Sequence, residues 1–200
     1  MVNEQLLLPG MEFREGASSI DNLFIGLFPD GVHAKRTADL GAELGKLLGV
    51  RGKFRRADLL HVTLCDVGTY RNGLTEHHVE AAKQVCESVA ALSAPAQIAF
   101  NQVMTFSGRE GRHPLVLCGG YENSGLQSIH DLLLAGLVRL GFSIGANANF
   151  NPHITLAYAK ELVDQVPVKP IRWTASEVLL VHSLAGKSEY RVLGSWPLLG

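Results

Sequence analysis

Two stretches of the chain repeat one four-residue pattern, His61-Val62-Thr63-Leu64 and His153-Ile154-Thr155-Leu156. The chain's content of His, Thr and Leu predicts about 0.04 copies of His-x-Thr-Leu, so two by chance is on the order of one in a thousand. Imidazole, with an unperturbed pKa of about 6.5, can take or give a proton near neutrality. A strand turns successive side chains to opposite faces, so His and Thr project together while Val62 or Ile154 points the other way. Each copy then offers one imidazole and one hydroxyl on a common face, and two copies could face each other across a cleft. A single His-x-Thr on a strand is ordinarily structural, threonine simply favouring β structure. The pairing is what points to chemistry.

The elements around the motifs follow from periodicity and punctuation. Residues 22–28 form an apolar, aromatic run of strand length, stopped by Pro29-Asp30-Gly31. Leu40, Leu44, Leu47 and Leu48 have helical spacing and end at Gly49. Residues 59–67 read as a buried strand carrying the first motif. Thr75 suits the N-cap of a helix with Val79, Ala82, Cys86 and Val89 on one face. Residues 96–105 and 115–118 read as strands. Asn123 or Ser124 suits the cap of a helix presenting Leu126, Ile129, Leu133, Leu137 and Leu140, with Gly141 at its C-cap. The strand at 151–158 bears the second motif, and 178–184 and 190–193 close the fold. Each motif follows a helix that follows a strand, so an α+β fold of two pseudo-symmetric lobes is expected, each with an antiparallel sheet and helices around a central cleft. Residues 1–20 lack a period and read as a loose extension; 21–200 read as one bilobal domain.

Composition bounds the class. In 200 residues, 46% are apolar, enough for a proper core. A net charge of −1 gives no global attraction to nucleic acid, so any affinity for a polyanion is local. Cys65, Cys86 and Cys118 are too few and scattered for a disulfide framework, which fits a reducing cytoplasm. Leu6-Leu7-Leu8 is cut short by Glu4, Pro9 and Glu12, so neither a signal peptide nor a membrane span is expected. No metal site is expected, since no CxxC pair or third ligand accompanies the histidines.

With these motifs the chain resembles the two-histidine phosphoesterase superfamily, and within it the RNA 2′,3′-cyclic phosphodiesterases, also called 2′-5′ RNA ligases. The likeness rests on residues 23–27, on Leu60 with the first motif, on the block 150–157, and on the tail with Tyr190-Arg191-Val192-Leu193 and Trp196-Pro197-Leu198. It implies His61 and His153 as catalytic acid and base, and Thr63 and Thr155 as phosphate-contacting hydroxyls. Opening a cyclic phosphodiester removes a proton from the attacking water and gives one to the leaving ribose oxygen. One imidazole must be neutral while the other is protonated, so the pair titrates as a unit. Threonine hydroxyls would donate to the non-bridging oxygens, where transition-state charge grows. No metal or other cofactor enters this scheme. Sequence does not decide which histidine is which; the assignment adopted is His153 as base and His61 as acid. The family often has an arginine two residues after the Leu of the second motif, where this chain has Tyr158.

Further substrate contacts are expected from a few residues. Arg51, Lys53, Arg55 and Arg56 form a basic run before the first motif, either a solvated loop or a rim attracting RNA phosphates. Phe150 is a candidate to stack on a base, with core packing the alternative. Tyr158 lies three residues after Thr155, so a regular strand points it away and a bulge is needed to bring it into the site. Phe24 and Phe28 read as core, and His182 as a satisfied core histidine. The partner expected is an RNA end or a small cyclic-phosphate nucleotide, acted on by a monomer at no membrane. Rival readings are 2′-5′ ligation in the same site, hydrolysis of a nucleotide-derived cyclic phosphate such as that of ADP-ribose, and RNA-end or nucleotide binding without turnover.

Overall fold

A computed structural model describes residues 20–71, 73–119, 123–144, 150–184 and 187–200. The chain runs β1 (Ile20–Leu27), α1 (Gly31–Leu47), a 3-10 turn (Ala57–Leu59), β2 (Val62–Arg71), α2 (Glu76–Leu92), β3 (Ala96–Thr105) and β4 (His113–Cys118), then α3 (Ser124–Arg139), β5 (His153–Ala159), β6 (Val166–Ala175), β7 (Glu177–Leu184) and β8 (Glu189–Pro197). The extension expected at 1–20 lies outside the described residues except for Ile20, which opens β1.

Local chemistry sets the helix ends. The Asp30 carboxylate accepts from the backbone N–H of Val32 and of His33, so what reads as a turn is the start of α1. Thr75 caps α2 by accepting from the His78 N–H. Gly141, at φ +87°, takes the left-handed position just past α3. Asn123 precedes α3 but turns its amide to β3 instead, accepting from the Ala99 N–H at 2.9 Å and donating to the Ala99 carbonyl at 3.0 Å.

The strands form one antiparallel sheet ordered β6-β3-β4-β5-β2-β1-β7-β8. This is two four-stranded halves, β6-β3-β4-β5 and β2-β1-β7-β8, joined by a single residue pairing, Val62 with Ile154. β6 has no counterpart in the periodicity reading, because Pro167, Lys169, Pro170 and Arg172 break the pattern of a buried strand. Its edge position explains the prolines, since an outer strand has one side free of ladder bonds. Only Ser176 separates β6 from β7, yet five strands lie between them in the sheet order. Two residue steps span at most about 7 Å, whereas six strand spacings in a flat sheet would be roughly 29 Å. The sheet must therefore curl into a trough.

The helices share the face opposite the motifs, and they cross between halves. α1 packs against β5, where a Cβ at Gly41 would lie 3.6 Å from the Leu156 side chain. α3 packs against β2, where His130 Nδ1 meets the Leu64 carbonyl at 2.6 Å. Val62, Leu64, Ile154 and Leu156 all belong to the core thus formed.

Each motif strand also carries a bulge at its Leu. β1 pairs Ile25 with Cys65 but Gly26 with Thr63, which leaves Leu64 as the extra residue. β4 pairs Leu115 with Ala157 but Val116 with Thr155, which leaves Leu156. Residues 61–67 and 153–159 consequently have the same seven-step sequence of buried and open positions.

Gly26 tests how tightly β1 fits the first motif. A Cβ there would lie 2.8 Å from the Val62 carbonyl oxygen, a backbone atom that cannot move aside. Gly26→Ala is expected to destabilise the fold by about 1–3 kcal/mol, measured by denaturant unfolding.

Candidate active site

His61 immediately precedes β2 and His153 opens β5. In antiparallel register about the Val62–Ile154 pair, the residue before one member lies across from the residue after the other. His61 is therefore set beside Thr155, and His153 beside Thr63. The two imidazoles occupy one diagonal and the two hydroxyls the other, with diagonal neighbours ~7–8 Å apart. That spacing leaves room for a phosphoryl group between them. Neither threonine hydroxyl has a hydrogen-bond partner among the described residues.

Both rings are held the same way. His61 Nδ1 lies 2.9 Å from the Leu59 carbonyl, and His153 Nδ1 lies 2.8 Å from the Asn151 carbonyl. A carbonyl only accepts, so each Nδ1 carries the proton and donates it. This leaves Nε2 of each neutral ring as the free base.

Around His61 the site is aromatic. Its ring centroid lies 4.7 Å from Phe24, 5.4 Å from Phe28 in a stacked arrangement, and 5.3 Å from Tyr190 edge-on. Phe24 is buried, as the sequence reading had it, but its ring packs on His61, whereas Phe28 is only half-buried and is not a core residue. Strand alternation sends Leu23, Ile25 and Leu27 into the core and Phe24 to the motif face. His153 has one aromatic neighbour among the described residues, Phe106, at 5.0 Å. Phe106 and Tyr190 carry no sequence signal of a site role beyond the likeness of the tail, because loops and a sheet margin bring them in.

Burial lowers the His61 pKa to about 4, with the nearby charges of Arg55 and His153 pushing the same way and the Leu59 carbonyl opposing. Burial also lowers the His153 pKa, opposed by the Asn151 carbonyl. Without a ligand both imidazoles are held neutral, His61 the more strongly.

A cavity of about 500 Å³ opens beside the motifs, lined by Arg55, Leu59, Tyr158 and Tyr190 among others. The bulge at Leu156 is what brings Tyr158 to this side. Arg112, from the β3–β4 connection, lays its guanidinium 4.4 Å from the Tyr158 ring centroid. Of the basic run, Lys53, Arg55 and Arg56 reach the cavity while Arg51 is exposed outside its lining. Phe150 lies elsewhere: it packs on the core and stacks flat on His130, centroids 4.2 Å apart. His182 faces Asp21, Nε2 to Oδ1 3.0 Å, in an ion-pair contact too bent for a hydrogen bond and remote in register from the motifs. Among the described residues, no group of three or more His, Cys, Asp or Glu is placed to hold a metal ion.

The sequence profile of the 2′-5′ RNA ligase superfamily matches residues 39–187, both motifs included. The chain belongs to that superfamily. Several solved structures share its fold. TT0787 of Thermus thermophilus aligns with TM-score 0.72 at 23% identity, over 90% of this chain and 98% of that one. E. coli LigT in apo form aligns with TM-score 0.66 at 20% identity, over 92% of this chain and all of LigT (100%). LigT complexed with 3′-AMP aligns with TM-score 0.63 at 23% identity, over 90% and 99% of the two chains. No curated protein sequence matches the chain. The superfamily is named for an enzyme activity, 2′-5′ RNA ligation. No described helix is long and apolar enough to cross a membrane.

The depressed pKa values set a pH dependence. An unfolded His61 takes its proton near the ordinary 6.5, whereas the folded one takes it only near about 4. Between these values the unfolded state binds more protons, so stability is full above pH 6.5 and falls as pH drops toward 4. Melting temperatures across this range are expected to decline with falling pH, and less steeply for His61→Gln.

Proposed function

We propose that the chain hydrolyses 2′,3′-cyclic phosphate ends of RNA, or a related cyclic phosphate, to a 2′-phosphate by paired histidine acid–base catalysis without a metal. The observation that supports this reading is the pair of imidazoles flanking the Val62–Ile154 junction, each fixed through Nδ1 so that Nε2 is left as the free base, with a motif threonine across the register from each. In-line displacement at phosphorus needs one proton removed and one supplied on opposite sides, and a symmetric diagonal offers that. The fold likeness to LigT, which has been solved with 3′-AMP, supports a nucleotide-sized ligand at such a site. The reverse reaction, 2′-5′ ligation, uses the same groups, and the superfamily's name favours keeping it as the second reading.

A neutral pair cannot begin the reaction, since one imidazole must be charged. An anionic phosphate between the rings favours the imidazolium form and raises the pKa of whichever ring donates. With His153 as base and His61 as acid, bound phosphate must lift His61 from about 4 toward neutrality. NMR titration of both rings with and without inorganic phosphate reads this directly. A rise confined to His153 would reverse the assignment.

RNA ending in a 2′,3′-cyclic phosphate, incubated with the enzyme in excess chelator, is expected to yield a 2′-phosphate. His61→Ala and His153→Ala should each lose about 10²–10⁴-fold in turnover. Thr63→Ala and Thr155→Ala should lose less, each removing one neutral donor. Thr63→Ala, Thr155→Ala and His153→Ala should melt near the wild-type temperature, whereas His61→Ala empties space among three aromatic rings and is compared at a temperature well below its own melting point. Unaltered turnover in His153→Ala, or abolition by chelator with recovery on adding one divalent metal, overturns the mechanism.

A further inference from the structure

Of the four cations at 51–56, Arg55 alone is built into the site. The segment before the first motif runs along β5: a Cβ at Gly52 would meet the Tyr158 carbonyl oxygen at 2.6 Å, and the Arg55 N–H donates to the Leu156 carbonyl at 2.7 Å. Phe54 turns down onto α1, where the absent side chains of Gly41 and Gly45 make space for its ring. Arg55, the next residue, lines the cavity. Its Nη1 donates to Tyr190 Oη at 3.1 Å, and Tyr190 is edge-on to His61. The guanidinium lies 5.8 Å from the Tyr158 ring centroid.

What Arg55 lacks is an anion. Its Nε is buried without a hydrogen-bond partner, and no carboxylate pairs with it among the described residues. Arg56 differs, because Asp58 takes two of its donors at 2.9 and 2.6 Å. A half-buried guanidinium with an orphaned donor is an unfavourable state that an anionic ligand relieves. Its planar fork also suits a phosphate, where two parallel N–H···O bonds can form.

We propose that Arg55 is the cationic contact to the reacting phosphate, reaching the site from the segment beside β5. Tyr158 and Tyr190 act as its positioning residues. The basic run is then not a uniform rim for RNA: one member serves the reacting group, and Arg56 is committed to Asp58. The identity of the anion as a phosphate rests on the proposed function.

Inorganic phosphate is the probe, titrated into the full chain by calorimetry and by NMR of the two histidines, for wild type, Arg55→Gln, Arg55→Lys and Arg51→Gln, the last exposed outside the cavity. The same proteins are assayed on a 2′,3′-cyclic mononucleotide, which has no further phosphate. Arg55→Gln is expected to weaken phosphate binding about tenfold or more, to lower turnover of the mononucleotide, and to move the His61 titration upward. Arg55→Lys should recover only part of the affinity, and Arg51→Gln should change each quantity less than about twofold. Full phosphate affinity in a folded Arg55→Gln overturns the proposal, as does an equal loss in Arg51→Gln or the absence of saturable binding in wild type. Should Arg55→Gln not fold, Arg55→Lys decides alone, with lost affinity supporting and unchanged affinity overturning. Phosphate binding needs no turnover, so a chain inactive on cyclic phosphates leaves this limb readable.

Discussion

The two halves of the sheet meet in one residue pair, Val62 with Ile154, and the relation between the two motifs depends on it. Backbone bonding contributes little to this junction, since a hydrogen bond adds about 1 kcal/mol net. Side-chain burial contributes more: both residues are fully buried, each worth roughly 1.5–3 kcal/mol. The helices reinforce the join by crossing it, α1 lying beneath the second motif and α3 beneath the first. Each half thus presses on the strand that carries the other half's histidine. The motif's second and fourth positions, Val62 and Leu64 or Ile154 and Leu156, provide the grip. Its first and third remain open to the cleft.

The bulge at each motif Leu has a separate effect. It ends the alternation that a regular strand would continue, so the next open position falls three residues after the threonine. In the second motif that position is Tyr158, and in the first it is Asp66. The two differ in chemistry, and the symmetry of the site ends there. One end of the cleft gains an aromatic ring flanked by Arg112 and Arg55. The other gains a carboxyl group whose pKa burial raises, opposed by the Gly68 N–H. A pseudo-symmetric frame thereby lines a cleft whose two ends differ in chemistry.

Much of this was legible in the chain because it rests on period and punctuation. The strand–helix–motif order, the Thr75 cap, the Gly141 stop and the shared face of His and Thr all follow from local rules. What could not be read depends on neighbours distant in sequence. β6 hid behind prolines that only an edge strand tolerates. Phe24 is buried as expected, but only the sheet shows that its ring lies against His61. Asn123 looked like a cap, yet the backbone of β3 claims its amide. Phe150, adjacent to the motif in sequence, is stacked on His130 of α3, a neighbour distant in sequence. Arg55 was indistinguishable from its three basic neighbours until the fold buried its Nε without a partner.

The connectivity of the trough has a consequence for synthesis. The half containing β1 and β2 is completed by β7 and β8, which follow the whole of the other half in the chain. As the protein emerges from the ribosome, β1 waits with one edge uncovered until Glu177 and the residues after it have been made. An uncovered edge is a template for mispairing with a second nascent chain. The partner strand reaches β1 through a link of one residue, Ser176, so closing β6 against β3 also delivers β7 to its place. Completion of the late half therefore triggers sealing of the early one.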